Sequence, residues 1–236
     1  MRLQHRRRSR KPVVPVVPGT LLNGLAAYWN LDQVLGEDRY DSHINHIILG
    51  EQGGGVRQAP GKLGSAADFT YDGYDTWLEC ADQEVLRFVG DFTIALWVFF
   101  KNPTFAANSI YCKDGAFELS VSGDLGLRAL VVMYDDFTEE IARLTSNQPI
   151  GQNVWTHLTI VKREEVLMLY RDGVLDKSCE VWARVADGGT TRIGASGGGY
   201  PFAGSIDEVG LWQRALSDAE VAALYAGGNG LAYENF

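Results

Sequence analysis

Cysteine is scarce in this sequence, and the three present, Cys80, Cys112 and Cys179, form an odd set with no metal-type spacing. A complete disulfide framework is thereby excluded, at least one thiol is unpaired within the chain, and a reducing compartment is the simpler expectation. Long hydrophobic runs are missing too: none approaches the roughly 20 residues of a membrane-spanning helix. The apolar stretch near the N-terminus, "PVVPVVP", is too short and too proline-rich for the helical segment of a signal peptide. The expectation is a soluble chain made without the usual secretion signal. Histidine is limited to His5, His43, His46 and His157, which leaves few bases for nucleophilic catalysis. No Gly-x-Ser-x-Gly turn leads into a helix.

What is abundant points to strands. Glycine occurs 27 times among 236 residues and aromatics make up 11%, a mixture that suits many strands joined by tight turns. The chain is long enough for one sandwich-sized core. Its net charge of −9 hides an asymmetry: residues 1–20 carry six basic residues and no acid, leaving 15 basic against 30 acidic residues, a net −15, in the remainder. Arg6, Arg7, Arg8, Arg10 and Lys11 precede Pro12, Pro15 and Pro18, and a proline at every third position favours an extended path. Residues 1–20 therefore read as a basic arm and residues 21–236 as one acidic domain. Such a body repels nucleic acid, while the arm suits phosphate, or an acidic protein surface along which it lies extended.

From residue 24 a period of two sets in. "GLAAYWNLD" places Leu25, Ala27, Trp29 and Leu31 on one face and Tyr28, Asn30 and Asp32 on the other, the pattern of a half-buried strand. Residues 33–62 are rich in Gly, Asp, His and Asn and read mostly as loop. In "GDFTIALWVFFK" both faces are apolar, so this strand is central. Further strands follow at regular spacing, and Asp172–Gly173 supplies a hairpin turn. Ser217 and Glu220 form a capping box, predicting a helix over 217–226 that closes an end of the sandwich. The fold class is all-β, an antiparallel sandwich or jelly roll with one short C-terminal helix.

Taken together, "GLAAYWNLD", "PGKLGSAADFTYDGYDTWLEC", "GDFTIALWVFF", "WTHLTIVKREEVLMLYRDGVLDKS" and "TTRIGASGGGYPFAGSIDEVGLWQRALSDAEVAALY" resemble the laminin-G-like, concanavalin-A-like jelly-roll family, over residues 24–232. The resemblance implies two antiparallel sheets packed face to face, used for binding glycans or protein surfaces. It also implies a calcium ion at one edge, with Asp32 and Asp207 as side-chain ligands and the loop of Asp41, Ser42 and Asn45 nearby. The loop "DSHINHIILG" departs from the commoner Ser-Gly-Asn-Gly pattern. Laminin-G-like modules similar to this one are found on phage virions and bacterial surface proteins.

Catalysis finds less support. A glycoside hydrolase needs two carboxylates at a set separation, and no strand carries the alternating acids that would supply them. Glu118 is alone on its strand, and Asp135–Asp136 and Glu164–Glu165 fall at turns. His43 and His46 form a loop pair without a third ligand. Exposed aromatics Tyr74, Trp77 and Tyr200 suit stacking on sugars, whereas Trp29, Trp97, Trp155 and Trp212 sit in alternating strands and belong to the core. Asp207 and Glu208 read as structural or ion-binding, satisfying backbone amides or pairing with Arg214.

The sequence thus predicts a non-enzymatic module, anchored by its arm to a larger assembly in many copies or as a homo-oligomer. A phage capsid or tail is the first choice of assembly, which would place the protein on the virion surface. The alternatives are a free calcium-dependent lectin at the cell surface or outside the cell and, behind it, a glycoside hydrolase.

Overall fold

The computed structural model describes residues 19–70, 75–101, 107–135, 139–182, 188–197 and 199–236. The strands are β1 (Leu25–Trp29), β2 (Arg39–Tyr40), β3 (Ile48–Gly53), β4 (Arg57–Pro60), β5 (Ser65–Asp68), β6 (Thr76–Cys80), β7 (Phe92–Phe100) and β8 (Ala107–Lys113). They continue with β9 (Phe117–Ser122), β10 (Arg128–Tyr134), β11 (Glu140–Pro149), β12 (Trp155–Arg163), β13 (Val166–Arg171), β14 (Val174–Glu180), β15 (Thr191–Ile193) and β16 (Gly204–Trp212). Helix α1 (Asp218–Tyr225) follows. Sheet I runs β14-β13-β12-β7-β16-β5-β4, with β1 also on β16. Sheet II runs β11-β10-β9-β8-β15-β6-β3-β2, and every pairing between these strands is antiparallel. This is a jelly-roll sandwich.

The strand β7 is central, as its two apolar faces require. Phe92, Ile94, Leu96, Val98 and Phe100 enter the core between the sheets, and Ala95 enters a second apolar cluster on the outside of sheet I. The turn at Asp172–Gly173 has φ of 50° and 76°, the positive values that a two-residue hairpin needs.

Residues 33–62 are mostly loop, as expected, and hold three short outer strands, β2, β3 and β4, in which only Arg39 and Leu49 are buried. Two expectations are corrected. β1 is buried along its whole length, because Leu25 and Tyr28 on its outer side pack into the outer cluster while Ala27, Trp29 and Leu31 face the core, and a bulge between Leu25 and Ala27 accounts for the change of face at Leu25. Helix α1 does not close an end of the sandwich: Val221 and Leu224 lie on the outer face of sheet I with Tyr28, Ala95, Val161 and Trp212. The capping box is present as predicted, Ser217 accepting from the Glu220 amide and Glu220 from the Ser217 amide. Leu21 and Phe236 join the same cluster, so both ends of the described chain pack on this one face.

Candidate functional site

The alternation of β6 turns Leu78 and Cys80 inward and Trp77 and Glu79 outward. Glu79 stands opposite Arg192 of β15. One carboxylate oxygen, Glu79 Oε2, accepts from Trp77 Nε1 at 2.9 Å and from Arg192 Nε at 3.0 Å. Arg192 Nη1 in turn donates to both oxygens of Asp114, just beyond β8. Burial opposes the guanidinium charge, but the hydrogen bonds to Asp114 and Glu79 outweigh it and raise its pKa. A Cβ on Gly197 would lie 3.0 Å from Asp114 and 3.1 Å from Arg192, so glycine lets the chain at 195–197 press onto this pair. Between that stretch and Asp75, Trp77 and Arg192 runs a groove of about 170 Å³.

Glu118 shares this outward row, since Cys112 stands opposite both Arg192 and Glu118. Its pKa is raised by burial, against a hydrogen bond from Ser109. Three strand spacings separate it from Glu79, about 14 Å at roughly 4.8 Å each, well outside the ~5–9.5 Å of a glycosidase carboxylate pair.

A second polar cluster lies where β16 changes partner. Its 205–206 stretch pairs with β5 and its 209–212 stretch with β1, and a bulge with Glu208 at φ 54° takes up the change. Here Asp207 Oδ2 accepts from the amides of Lys62 (2.7 Å) and Leu63 (3.1 Å), and Asp32 Oδ1 from that of Ser65 (2.6 Å). The two acids predicted as calcium ligands thus clasp one turn, while Glu208 accepts from the Tyr28 hydroxyl. Burial and the charge of Glu208 push Asp207 up to about 8, and burial pushes Glu208 to about 7.

Asp207 Oδ1 is buried without a partner. Asn30, Asp32, Ser42, Glu208, Tyr233 and Glu234 line a cavity of about 210 Å³ that also meets Leu63 and Gly64 of the clasped turn. Asp41 accepts from the amides of Tyr28 and His43, and Asn45 donates to the Ala26 carbonyl. Among the described residues no group of three or more His, Cys, Asp or Glu side chains is placed to hold a metal ion. A calcium ion here would have to draw on carbonyls as well as carboxylates. Arg214 pairs with Glu220 rather than with Asp207 or Glu208.

Of the aromatics read as glycan contacts, Trp77 lines the groove, and Tyr200 is exposed on the loop that follows Gly199. Tyr74 lies outside the described residues, as do Arg6, Arg7, Arg8, Arg10, Lys11, Pro12, Pro15 and Pro18 of the arm. Trp29, Trp97 and Trp212 are buried as expected, but Trp155 is only half-buried, its ring tilted against Phe99. Sequence reasoning missed Glu79, Asp114 and Arg192, which only cross-strand pairing brings to Trp77. It also missed Trp182, 72% exposed beside Lys162, Glu164 and Glu165; its signal was a tryptophan just past the end of an alternating run. The letters "GASGG" from Gly194 match Gly-x-Ser-x-Gly, but among the described residues between β15 and β16 there is no helix, so they form no nucleophile elbow.

Two stacked antiparallel sheets with a groove on one outer face agree with the family comparison, in which laminin G family 3, described as the concanavalin A-like lectin/glucanases superfamily, matches residues 72–222. The chain belongs to this superfamily. No curated protein matches it in sequence. Among solved structures, this superfamily member resembles the binding domain of Paraclostridial Mosquitocidal Protein 1 at TM-score 0.70 and 17% identity, over 87% of this chain and 52% of that one. It also resembles domain 4 of AbnA, a GH43 extracellular arabinanase from Geobacillus stearothermophilus solved with arabinotriose. There the TM-score is 0.67 and the identity 20%, over 84% of this chain and 97% of that one. A structure from work on the dependence of botulinum neurotoxin type C cell entry on two ganglioside molecules matches at 0.68 and 10%, over 87% and 51%. The chain therefore spans about half the length of the toxin domains it matches, and the likeness at these identities is one of fold.

Proposed function

We propose that this protein is a non-catalytic glycan-binding module whose saccharide site is the Trp77 groove. The observation that carries the reading is the chain of contacts Trp77–Glu79–Arg192–Asp114, which holds an outward indole in one orientation beside polar groups before any ligand arrives. A preset aromatic face with a few placed polar atoms is what a sugar site needs, and it avoids the cost of ordering them on binding. The AbnA domain of the same fold, solved in complex with arabinotriose, supports the reading. Replacing Trp77 by alanine is expected to weaken glycan binding by about 2 kcal/mol, roughly thirtyfold, in calorimetric titration. Unchanged affinity would reject the groove as the site.

The finer reading adds an anchor and an ion. The arm's root, Thr20 and Leu21, packs on the outer face of sheet I, where their carbonyls accept from Arg214 and from Trp212 Nε1. The groove lies on sheet II. A module tethered through its basic arm to a capsid or tail would therefore present the groove outward, and this supports a virion decoration or adhesion role. A structural calcium ion at Asp32 and Asp207 is supported by the buried, unpartnered Oδ1 of Asp207.

A further inference from the structure

We infer that the groove selects neutral saccharides and discriminates against sialylated or uronic-acid ones, a reading that rests on the Trp77 groove being the glycan site. An arginine in a sugar site ordinarily suggests recognition of a ligand carboxylate through a two-pronged contact. Here two of the three guanidinium nitrogens are already engaged within the protein. Arg192 gives Nη1 to Asp114 and Nε to Glu79, and both pairs are ion pairs.

The charge left over has the opposite sign. Glu79 and Asp114 place two carboxylates on one guanidinium, and Asp75 adds a third along the groove wall. Lys113, the nearest lysine in the chain to Asp114, has its Nζ turned away to Asp82 and the Gly189 carbonyl. A second anion brought between Trp77 and Arg192 would meet uncompensated negative charge, whereas hydroxyl groups can donate to these same carboxylates. Like-charge juxtaposition is a means of rejecting wrong ligands, and the acidic body extends it beyond the groove. The indole then supplies the face on which an uncharged pyranose or furanose ring stacks.

The experiment is a calorimetric titration of the full chain with arabinotriose and cellotriose on one side and 3′-sialyllactose and trigalacturonate on the other. Each is measured at low and high salt, with Trp77→Ala and Trp77→Phe alongside, and melting curves check that the variants fold. At least one neutral trisaccharide is expected to bind with little salt dependence, about tenfold or more tighter than either anionic one. That binding should weaken roughly thirtyfold in Trp77→Ala and less in Trp77→Phe. Binding of the anionic sugars as tight as or tighter than the neutral ones, lost in Trp77→Ala, would overturn the neutral selectivity while leaving the groove as the site. Binding indifferent to both Trp77 variants, or no binding of any of the four, would overturn the groove and the inference with it.

Discussion

His157 is enclosed between Trp97 and Tyr225, with ring centroids at 4.9 and 6.2 Å. Burial lowers its pKa to about 3, so the native imidazole stays neutral where the unfolded one takes a proton. Below about pH 6.5 the unfolded state then binds more protons, and stability falls with pH by about 2 kcal/mol from pH 7 to pH 5 through this residue. Asp207 and Glu208 act in the other direction. Their raised pKa values make the native state hold protons that the unfolded chain releases, so their contribution declines as pH rises from about 4 through 7 and 8. Comparing urea denaturation of the native chain with His157→Gln at each pH isolates the histidine, and the variant is expected to lose the acid-side decline. Asp207 carries a separate prediction. If its free Oδ1 holds calcium, Tm rises with calcium over that in EGTA, and Asp207→Asn removes the difference; equal melting curves in both buffers would reject the ion.

At the scale of elements, α1 is eight residues long and too short to persist alone. It is held by its capping box, by the Tyr170 hydroxyl donating to Asp218 at 2.7 Å and by the apolar cluster beneath it. Ser217→Ala is expected to cost about 1 kcal/mol. In a chain of this size that lowers Tm by about 2–4 °C. Because α1 lies on sheet I and the groove on sheet II, saccharide affinity should be unchanged in the same variant, and a parallel loss of binding would show that the two faces are coupled. This helix was readable from Ser217, Glu220 and the following glycines. Its landing place was not, since helical spacing says which face is apolar and nothing about which surface that face meets.

Across the whole molecule the two sheets divide the work. The centre of sheet I buries both faces and takes the packing of residues 20–21 and of Phe236, while sheet II keeps an outward groove. An anchored display module predicts that the chain sediments with a dense particle in a lysate of its source. Deleting residues 1–18, which lie before the packed root, should release it into the supernatant. Recovery only as a free protein would reject the anchor while leaving the groove to be tested by titration.

Periodicity, glycine-rich turns and the capping box were local signals, and they determined from the sequence alone an all-β sandwich with a central β7 and one C-terminal helix. Asp32 and Asp207 could also be named together before the structure, but through the family resemblance and not through any spacing along the chain. What only the tertiary structure decided was which outward residues became neighbours. Trp77, Asp114 and Arg192 come from β6, the end of β8 and β15, and no spacing along the chain encodes their meeting. The bulges at Leu25 and Glu208 were equally hidden. One extra residue moves a side chain to the opposite face, and whether it is accommodated depends on the partner strand rather than on the strand that carries it.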